Sequence, residues 1–189
     1  MLQVVPIEEA KQWREIVRRF TDWDIYYLPE YVKAFQVHGD GEPLLFYYES
    51  SSLQVMNVVM KRDVADDLRF QGKIPPKTYY DLVTPYGYGG GVAEGEKEAT
   101  ELKKYKAAYE AYCARQGIVS EFVRFHPLMG NARDMAELYQ IQSLGATVAI
   151  EMQSAEQIWE AFSSANRNKI RKAQKNGVTI FWGRSAELL

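Results

Sequence analysis

The fold is decided by the stretch Leu44-Leu45-Phe46-Tyr47-Tyr48-Glu49-Ser50-Ser51-Ser52-Leu53-Gln54-Val55-Met56-Asn57-Val58-Val59-Met60-Lys61. Its two ends are rich in the aromatic and β-branched residues that favour strands, and the serines between them favour a turn. This pattern predicts an antiparallel hairpin with strands at residues 44–49 and 53–61. Because neighbouring parallel strands cannot be joined by so short a turn, the hairpin excludes an all-parallel sheet.

Helices and strands alternate on both sides of the hairpin. Apolar residues spaced three and four apart predict helices at residues 6–20, 96–116, 132–144 and 155–176, the last as one helix or two. Pro29 opens a further short helix through Phe35, which the Gly39-Asp40-Gly41 run ends. Runs rich in β-branched and aromatic residues predict strands at residues 79–84, 118–126 and 146–152. The sequence therefore predicts an α/β (α+β) fold in which helices cover a mixed sheet.

The pattern of the last residues predicts a strand followed by only the first turn of a helix. Lys175-Asn176-Gly177 is a helix-ending signature, residues 178–182 predict a new strand, and residues 185–189 predict the start of a helix. A helix of about one turn does not hold itself, because nucleation fixes several dihedral angles for a single hydrogen bond. We therefore expect these 189 residues to be the front part of a longer protein.

Composition limits the class of protein. The chain has 47% hydrophobic and 25% charged residues and a formal net charge of -2, which is ordinary for a globular protein and favours no partner through bulk charge. A single cysteine, Cys113, excludes an internal disulfide and fits a reducing compartment. The first residues lack the pattern of a signal peptide, and no apolar stretch reaches the roughly 20 residues of a membrane span. The sequence therefore predicts a cytoplasmic protein without a membrane span.

Tyrosines alternate with glycines in and after the predicted strand at residues 79–84. The segment reads Tyr79-Tyr80-Asp81-Leu82-Val83-Thr84-Pro85-Tyr86-Gly87-Tyr88-Gly89-Gly90-Gly91. It lacks the Gly-Lys-Ser/Thr of a P-loop and the G-x-G-x-x-G spacing, and the glutamates that follow would repel a phosphate. Flat, hydrogen-bonding tyrosine rings suit a sugar or a peptide. A long turn whose tyrosines pack on the sheet explains the pattern equally well, so both interpretations stay open.

Arg124 and His126 point to one face of the predicted strand at residues 118–126, because side chains alternate along a strand. Together they could hold a carboxylate or a phosphate, or His126 could act as a base. The alternative is a structural Arg-His pair that hydrogen-bonds a nearby loop. Apart from His38 the chain has no other histidine, and no Cys/His cluster has the spacing of metal ligands, so the sequence predicts no zinc site.

A basic helix is predicted near the end of the chain. Residues 166–176 carry five cations and no carboxylate, and Arg167 and Arg171 share one stripe at helical spacing. Such a helix can clamp the phosphates of a nucleotide-sugar or of RNA, whereas cations near a helix C-terminus can also merely stabilise the helix dipole. A single lysine on a short helix, such as Lys33 on the tyrosine-rich helix, is usually a surface residue. Cys113 is expected in the core.

The order of these motifs resembles the first half of FemAB-like acyltransferases, which are tandem members of the GNAT superfamily. The resemblance spans nearly the whole chain and implies a GNAT-like domain at residues 1–177, with a mixed, mainly antiparallel sheet flanked by helices. It also implies the start of a truncated second GNAT-like domain at residues 178–189. The segments that carry it are the helix with Lys33, the hairpin, residues 80–90, Val123-Arg124-Phe125-His126-Pro127-Leu128, and Arg167-Asn168-Lys169-Ile170-Arg171-Lys172-Ala173-Gln174-Lys175-Asn176-Gly177-Val178.

The resemblance implies an N-acyltransferase of peptidoglycan and cell-wall biogenesis, with this chain as the acceptor-binding half, inactive when isolated. The acyl donor would be acyl-CoA or aminoacyl-tRNA, without a tightly bound cofactor, and the acceptor an amine of a nucleotide-sugar, muropeptide or glycan. By position, Lys33 matches the lysine that contacts the phosphate side of the precursor, and Tyr80, Asp81 and Tyr86 fall where the cleft is lined. Because the chain lacks a Q/R-x-x-G-x-G/A acyl-CoA loop, no catalytic base is assigned.

Two other functions stay open beside the enzyme. The chain could be a non-catalytic binding module for a nucleotide-sugar or an anionic glycan, or the basic helix could bind RNA, with tRNA as the partner. The candidate substrate-binding residues are Lys33, Tyr80, Asp81, Tyr86, Arg124, His126, Arg167 and Arg171.

Overall fold

A computed structural model describes residues 1–181 and 183 of the chain. The residues form two compact units, the first being Met1–Ser143 and the second beginning at Leu144. The first unit is mixed α/β, with a mainly antiparallel sheet flanked by helices. Among the described residues, no helix is both long enough and apolar enough to cross a membrane.

Six strands form the sheet of the first unit. Their order is β1-β2-β3-β4-β6, and β5 pairs with β3 beside β4. All pairs are antiparallel except β4 with β6, which is parallel. The strands are β1 (Leu2–Pro6), β2 (Glu42–Glu49), β3 (Leu53–Asp63), β4 (Tyr80–Val83), β5 (Val92–Gly95) and β6 (Ile118–Phe122). The predicted hairpin is confirmed as β2 and β3, whose closing pair is Glu49 and Gln54.

Helices cover both faces of the sheet. The helices of the first unit are α1 (Ala10–Val17), α2 (Pro29–His38), α3 (Ala99–Arg115) and the single turn α4 (Asn131–Asp134). Because side chains alternate along β3, Met56 and Met60 share a buried cluster with α1 and α2, whereas Val55 and Val59 share a second cluster with α3. Proline at the first position of α2 and the left-handed Gly39 after its end set the limits of that helix.

The pairing along β3 is interrupted in the middle. Residues Met60–Asp63 pair with β4 and residues Leu53–Met56 pair with β5, so residues 57–59 lie between the two partners. The chain between β4 and β5, residues 84–91, leaves this ladder and returns to it. We call residues 84–91 the excursion. It contains the alternating tyrosines and glycines, which are therefore not part of a continuous strand.

Several sequence predictions of elements are wrong. The sequence pattern predicts neither β1 nor β5, and Pro6, the predicted start of the helix at residues 6–20, is the last residue of β1. The strand predicted at residues 118–126 ends at Phe122, because the chain beyond it rejoins the sheet only through the isolated bridge of Phe125 to Gly89. The helix predicted at residues 132–144 stops after α4, because Met135 is fully buried and the turn that follows packs onto the sheet.

The described part of the second unit contains two helices, α5 (Ala155–Ala161) and α6 (Ser164–Lys175), which confirms the two-helix form of the prediction for residues 155–176. A capping box of Ser154 and Gln157 begins α5, and the Ser163 hydroxyl caps α6. The strand predicted at residues 146–152 is wrong, because a β-rich run becomes a strand only when a neighbour supplies hydrogen bonds, and none pairs with it among the described residues. Residues 178–181 are likewise unpaired, and Trp182 and the helix predicted at residues 185–189 lie outside the described residues.

Candidate functional site

Within the excursion, four residues loop out of the parallel ladder that joins β4 to β6 and the chain that follows β6. The Thr84 amide donates to the Phe122 carbonyl at 3.2 Å, which continues the parallel ladder. The ladder resumes at Gly89, whose amide donates to the Arg124 carbonyl at 2.9 Å and whose carbonyl accepts from the His126 amide at 3.2 Å. Residues 85–88 between these two points are displaced towards α2, and Tyr86 is 73% exposed.

Packing explains the glycines of the excursion better than anion binding does. Gly87 and Gly90 have φ of 102° and 86°, a region that favours glycine. A Cβ on Gly90 would lie 2.6 Å from a ring carbon of Phe125, and one on Gly87 would overlap the Tyr26 ring. The carbonyl of Gly90 accepts from the Tyr27 hydroxyl at 3.0 Å, which ties the excursion to the core. The excursion is therefore a fixed part of the first unit.

A continuous set of rings, which we call the aromatic surface, joins the excursion to α2. Its members are Tyr26, Tyr31, Phe35, Tyr86, Tyr88 and His126. Neighbouring ring centroids lie between 5.1 Å, for Tyr31 with Phe35, and 6.1 Å, for Phe35 with Tyr86. The Tyr31 hydroxyl donates to the Tyr86 carbonyl at 2.8 Å, so the backbone beneath the exposed Tyr86 ring is held in place. The surface offers aromatic faces with hydroxyl groups at fixed positions.

His126 is held at both of its ring nitrogens. Nε2 lies 2.7 Å from Asp24 Oδ2, and Nδ1 accepts from the amides of Leu128 and Met129 at 3.2 and 3.3 Å. Because Nδ1 accepts, the proton of the neutral ring lies on Nε2 and is donated to Asp24. Asp24 in turn accepts from the Tyr26 amide at 2.8 Å through Oδ1. His126 therefore has no free nitrogen for use as a base, and its arrangement matches the structural alternative for this residue.

Lys33 lines a groove of about 350 Å³ formed by α1, the start of α2 and the turn before α1. The groove is also lined by Ile7, Glu8, Ala10, Arg14, Pro29 and Glu30. Lys33 Nζ donates to Gln36 Oε1 at 2.7 Å, and Arg14 Nε donates to Glu30 Oε1 at 3.0 Å. That hydrogen bond lowers the pKa of the Glu30 carboxyl. Lys33 is two residues from both Tyr31 and Phe35, a rotation of about 200° around α2, so the groove and the aromatic surface lie on different sides of this helix.

Tyr80 and Asp81 are adjacent on β4 and therefore face opposite sides of the sheet. The Lys61 ammonium lies 4.0 Å from the centre of the Tyr80 ring, a cation–π contact. Asp81 pairs across strands with Arg62, whose Nε lies 2.9 Å from Asp81 Oδ1, and this hydrogen bond raises the pKa of the Arg62 guanidinium. Both residues thus have cationic partners of their own, and neither is a member of the aromatic surface.

Arg124 lies beside the excursion, where its amide donates to Thr84 Oγ1 at 3.1 Å. Its side chain is exposed and forms no hydrogen bond or ion pair with the described residues. Of the six candidates in the first unit, the structure brings Tyr86 and His126 into one aromatic surface, with Arg124 next to it in the chain. Lys33, Tyr80 and Asp81 lie elsewhere on the unit.

Arg167 and Arg171 both point from α6 to α5. The Arg167 guanidinium donates to the carbonyl of Glu160 at 3.1 Å and to that of Phe162, groups left without helical partners at the end of α5. The Arg171 guanidinium lies 5.3 Å from the centre of the Trp159 ring. The two arginines thus connect the helices of the second unit, and the exposed cations of α6 are Lys169, Lys172 and Lys175 along with part of Arg171.

A polar cluster that sequence reasoning missed lies beneath α3. Glu121 of β6 accepts from Asn57 Nδ2 at 3.0 Å and from the Tyr139 hydroxyl at 2.9 Å. Burial raises the pKa of the Glu121 carboxyl. Cys113 packs against the same buried cluster, and burial raises the pKa of its thiol to about 12, so it is not a nucleophile at neutral pH. The sequence pattern of β6 did not indicate that Glu121 is buried, because a charged residue in a strand usually faces solvent.

In the part of the chain that the structure describes, no three His, Cys, Asp or Glu side chains are grouped so as to hold a metal ion. Comparison with protein-family models, with curated proteins and with solved structures finds no match to the chain.

Proposed function

We propose that this chain is the acceptor-binding part of a FemAB-like N-acyltransferase, with a GNAT-like first domain that binds an amine-bearing cell-wall precursor at the aromatic surface. The observation that carries the proposal is the Tyr86 ring, which is 73% exposed on a backbone held by Tyr31 and followed by the closely packed Gly87. The order of motifs in the sequence and a mainly antiparallel sheet flanked by helices both support the resemblance on which the proposal depends.

A fixed aromatic surface suits the sugar part of such a precursor. Sugar rings present C–H faces that pack on aromatic rings, and the hydroxyl groups around them need hydrogen-bond partners. The aromatic surface supplies both, since the Tyr86 and Tyr88 rings, each of which carries a hydroxyl, lie 6.1 Å from the Phe35 ring and 5.9 Å from the Tyr26 ring. Because its backbone is already held, binding would cost little additional conformational entropy.

Lys33 has a separate part in the proposal. A diphosphate attached to the sugar needs a cation, and a lysine ammonium supplies a mobile point charge. Since Lys33 lies on another side of α2, a ligand that contacts both Lys33 and Tyr86 has to extend around that helix. The contributions of the aromatic surface and of the groove are therefore separable by mutation.

The chemistry of the proposed reaction is attack of the acceptor amine on an ester or a thioester carbonyl. The protein contributes orientation and removal of a proton from the amine. The acidic and basic candidates on the first unit are engaged, His126 by Asp24 and Asp81 by Arg62. This favours a division of labour in which the first unit binds the acceptor and the base comes from elsewhere in the enzyme. A non-catalytic module that binds a nucleotide-sugar or an anionic glycan needs no free base, so the engaged His126 and Asp81 fit that alternative as well.

Calorimetric titration with three ligands tests the proposal. We expect a UDP-linked muropeptide to bind the chain, and Tyr86→Ala to weaken its binding at least tenfold without a change in melting temperature. Tyr79→Ala is the matched control, because Tyr79 is an exposed tyrosine before the other end of β4. Uridine diphosphate and acetyl-CoA separate recognition of the nucleotide and of the acyl donor. Equal affinity in the two tyrosine variants, or no heat with any of the ligands, would count against the proposal.

RNA is a second candidate ligand, because one observation favours it. Lys169, Lys172 and Lys175 recur every three residues on the exposed part of α6, and no carboxylate occurs from Ala161 to Gly183. A helix of this kind binds a phosphate backbone mainly by releasing counterions. Its affinity for tRNA would fall steeply with salt concentration, and replacing Lys169 and Lys172 by alanine would reduce that slope.

A further inference from the structure

The single turn α4 packs against the end of the excursion, where three glycines occur in a row. Asn131 of α4 is 2% exposed, and its Nδ2 donates to the Gly89 carbonyl at 2.8 Å. Met135, which follows α4, is fully buried, and a Cβ on Gly91 would lie 3.1 Å from its Cε. The backbone of residues 89–91 is therefore supported by side chains of α4 and of the residue after it.

Two buried side chains hold consecutive carbonyls at this point. Asn131 donates to the carbonyl of Gly89, and the Tyr27 hydroxyl donates to that of Gly90 at 3.0 Å. Asn131 Nδ2 also lies 3.5 Å from the Tyr27 hydroxyl oxygen, which has a lone pair to accept from it. Because a carbonyl oxygen only accepts, the Asn131 amide must present its nitrogen here. A carboxylate of the same shape could not replace it.

These hydrogen bonds lead to both parts of the aromatic surface. Gly89 follows Tyr88 in the chain, and its carbonyl also accepts from the His126 amide at 3.2 Å. Tyr27 follows Tyr26 in the chain. The Tyr88 ring lies 5.9 Å from the Tyr26 ring and 5.9 Å from the His126 ring. Each of the two buried donors is thus connected to rings of the surface through the backbone of a neighbouring residue.

We infer that Asn131 is a positioning residue for the aromatic surface, because its donor fixes the backbone that presents the Tyr88 ring. Since Asn131 is buried, it acts on a ligand only through the Gly89 carbonyl. The part of this inference that concerns ligand binding rests on the proposed function, whereas the part that concerns the arrangement of the rings does not.

NMR spectra of the free chain with labelled tyrosine and histidine rings test the inference without a ligand. Asn131→Asp keeps the shape of the side chain but replaces the donor by an acceptor at neutral pH. We expect it to shift the ring signals of Tyr26, Tyr88 and His126. Tyr109→Phe is the matched control, because it removes a buried hydroxyl from the cluster beneath α3. Equal shifts in the two variants, or unshifted rings in Asn131→Asp, would overturn the inference.

A pH series separates positioning from a general loss of stability. A protonated carboxyl is a donor, so Asn131→Asp in acid can again donate to the Gly89 carbonyl. We expect its ring signals to return towards those of the natural protein at the same pH as the carboxyl becomes protonated. Signals that stay displaced in acid would overturn the inference. Should Asn131→Asp not fold, Asn131→Ala removes the donor without adding a charge and is compared with Tyr109→Phe in the same way.

Calorimetry with a UDP-linked muropeptide extends the test to binding. We expect Asn131→Asp at neutral pH to weaken binding by about fivefold, the order of one hydrogen bond, and Tyr109→Phe to bind as the natural protein does. Equal affinity of Asn131→Asp and the natural protein would overturn the inference. No binding by the natural protein would contradict the proposed function, and the ring signals would still decide the role of Asn131.

Discussion

His126 and Asp24 are 102 residues apart in the chain and are joined by a hydrogen bond of 2.7 Å between Nε2 and Oδ2. Asp24 precedes α2, and His126 follows the segment that holds Gly89 of the excursion. This hydrogen bond therefore joins the two parts of the aromatic surface. The role that the structure supports for His126 is to position tyrosines, with both ring nitrogens already engaged.

Removing the Asp24 carboxylate should destabilise the first unit. Asp24→Ala deprives His126 of its partner and the Tyr26 amide of its acceptor, and we expect a loss of about 1–3 kcal/mol in the free energy of unfolding. Urea denaturation measures the loss. Asp22→Ala is the control, because Asp22 is exposed and its carboxylate has no partner among the described residues. Equal stability of the two variants would mean that the Asp24–His126 hydrogen bond contributes nothing.

The close packing of the excursion predicts an asymmetry between two glycines. Gly90→Ala places a methyl group against Phe125 as well as straining a left-handed backbone, and we expect a cost of about 2–4 kcal/mol. Gly72 has a similar φ of 74° with open space around it, so Gly72→Ala should cost only about 1 kcal/mol. The difference between their denaturation midpoints isolates the packing contribution. Similar costs for both would show that the excursion is loosely packed.

Glu121 should make stability depend on pH in a defined direction. Burial raises its pKa above the ordinary value of 4.5, so between that value and the folded pKa the folded state binds the proton more tightly than the unfolded state. The stability contributed by Glu121 is present in acid and is lost as the pH rises through this window. Glu121→Gln does not titrate and should gain stability relative to the natural protein as the pH rises through this window.

Glu137→Gln serves as the control for that pH series. Glu137 is exposed and lies two residues before Tyr139, so its replacement changes the charge nearby without changing the cluster. Its stability should follow the natural protein at every pH. A constant difference between Glu121→Gln and the natural protein over the whole range would refute a raised pKa at Glu121.

Arg167 should matter for the helices of the second unit more than its neighbouring lysine does. Arg167→Ala leaves the carbonyls at the end of α5 without their donor, and we expect faster amide hydrogen exchange in α5 and in the first turn of α6. Lys169→Ala removes an exposed cation and should leave exchange unchanged. Equal exchange rates in the two variants would contradict this structural role and would leave Arg167 available to bind a phosphate.

The hairpin could be predicted from sequence because its signal is local: two β-rich runs and a short polar turn. The same local signal misled at residues 146–152, where the run is β-rich but no described strand pairs with it. The strand at residues 2–6 could not be predicted, because a segment of five residues just before an amphipathic helix is too short to show the alternating pattern of a strand. Local pattern decides which structure a segment favours, and pairing across the fold decides which it adopts.

The candidate site was less predictable than the fold. Tyr86 and His126 could be singled out from residue type, but their joint surface depends on contacts such as that of Tyr27 with Gly90, 63 residues away. The sequence gives no signal that Asp24 would pair with His126, because the two residues are 102 positions apart in the chain. The resemblance groups Tyr80, Asp81 and Tyr86 along one cleft, whereas the structure has Tyr80 and Asp81 on opposite sides of β4 and Tyr86 in the excursion after it.

The central claim, that the aromatic surface binds a precursor, is tested most directly by an NMR titration of the chain with a UDP-linked muropeptide. We predict chemical-shift changes concentrated at residues 26–35 and 84–89, with the Tyr86 ring among the most perturbed, and their loss in Tyr86→Ala. Changes confined to other parts of the first unit, such as α3, or the same changes in Tyr86→Ala as in the natural protein, would contradict the claim.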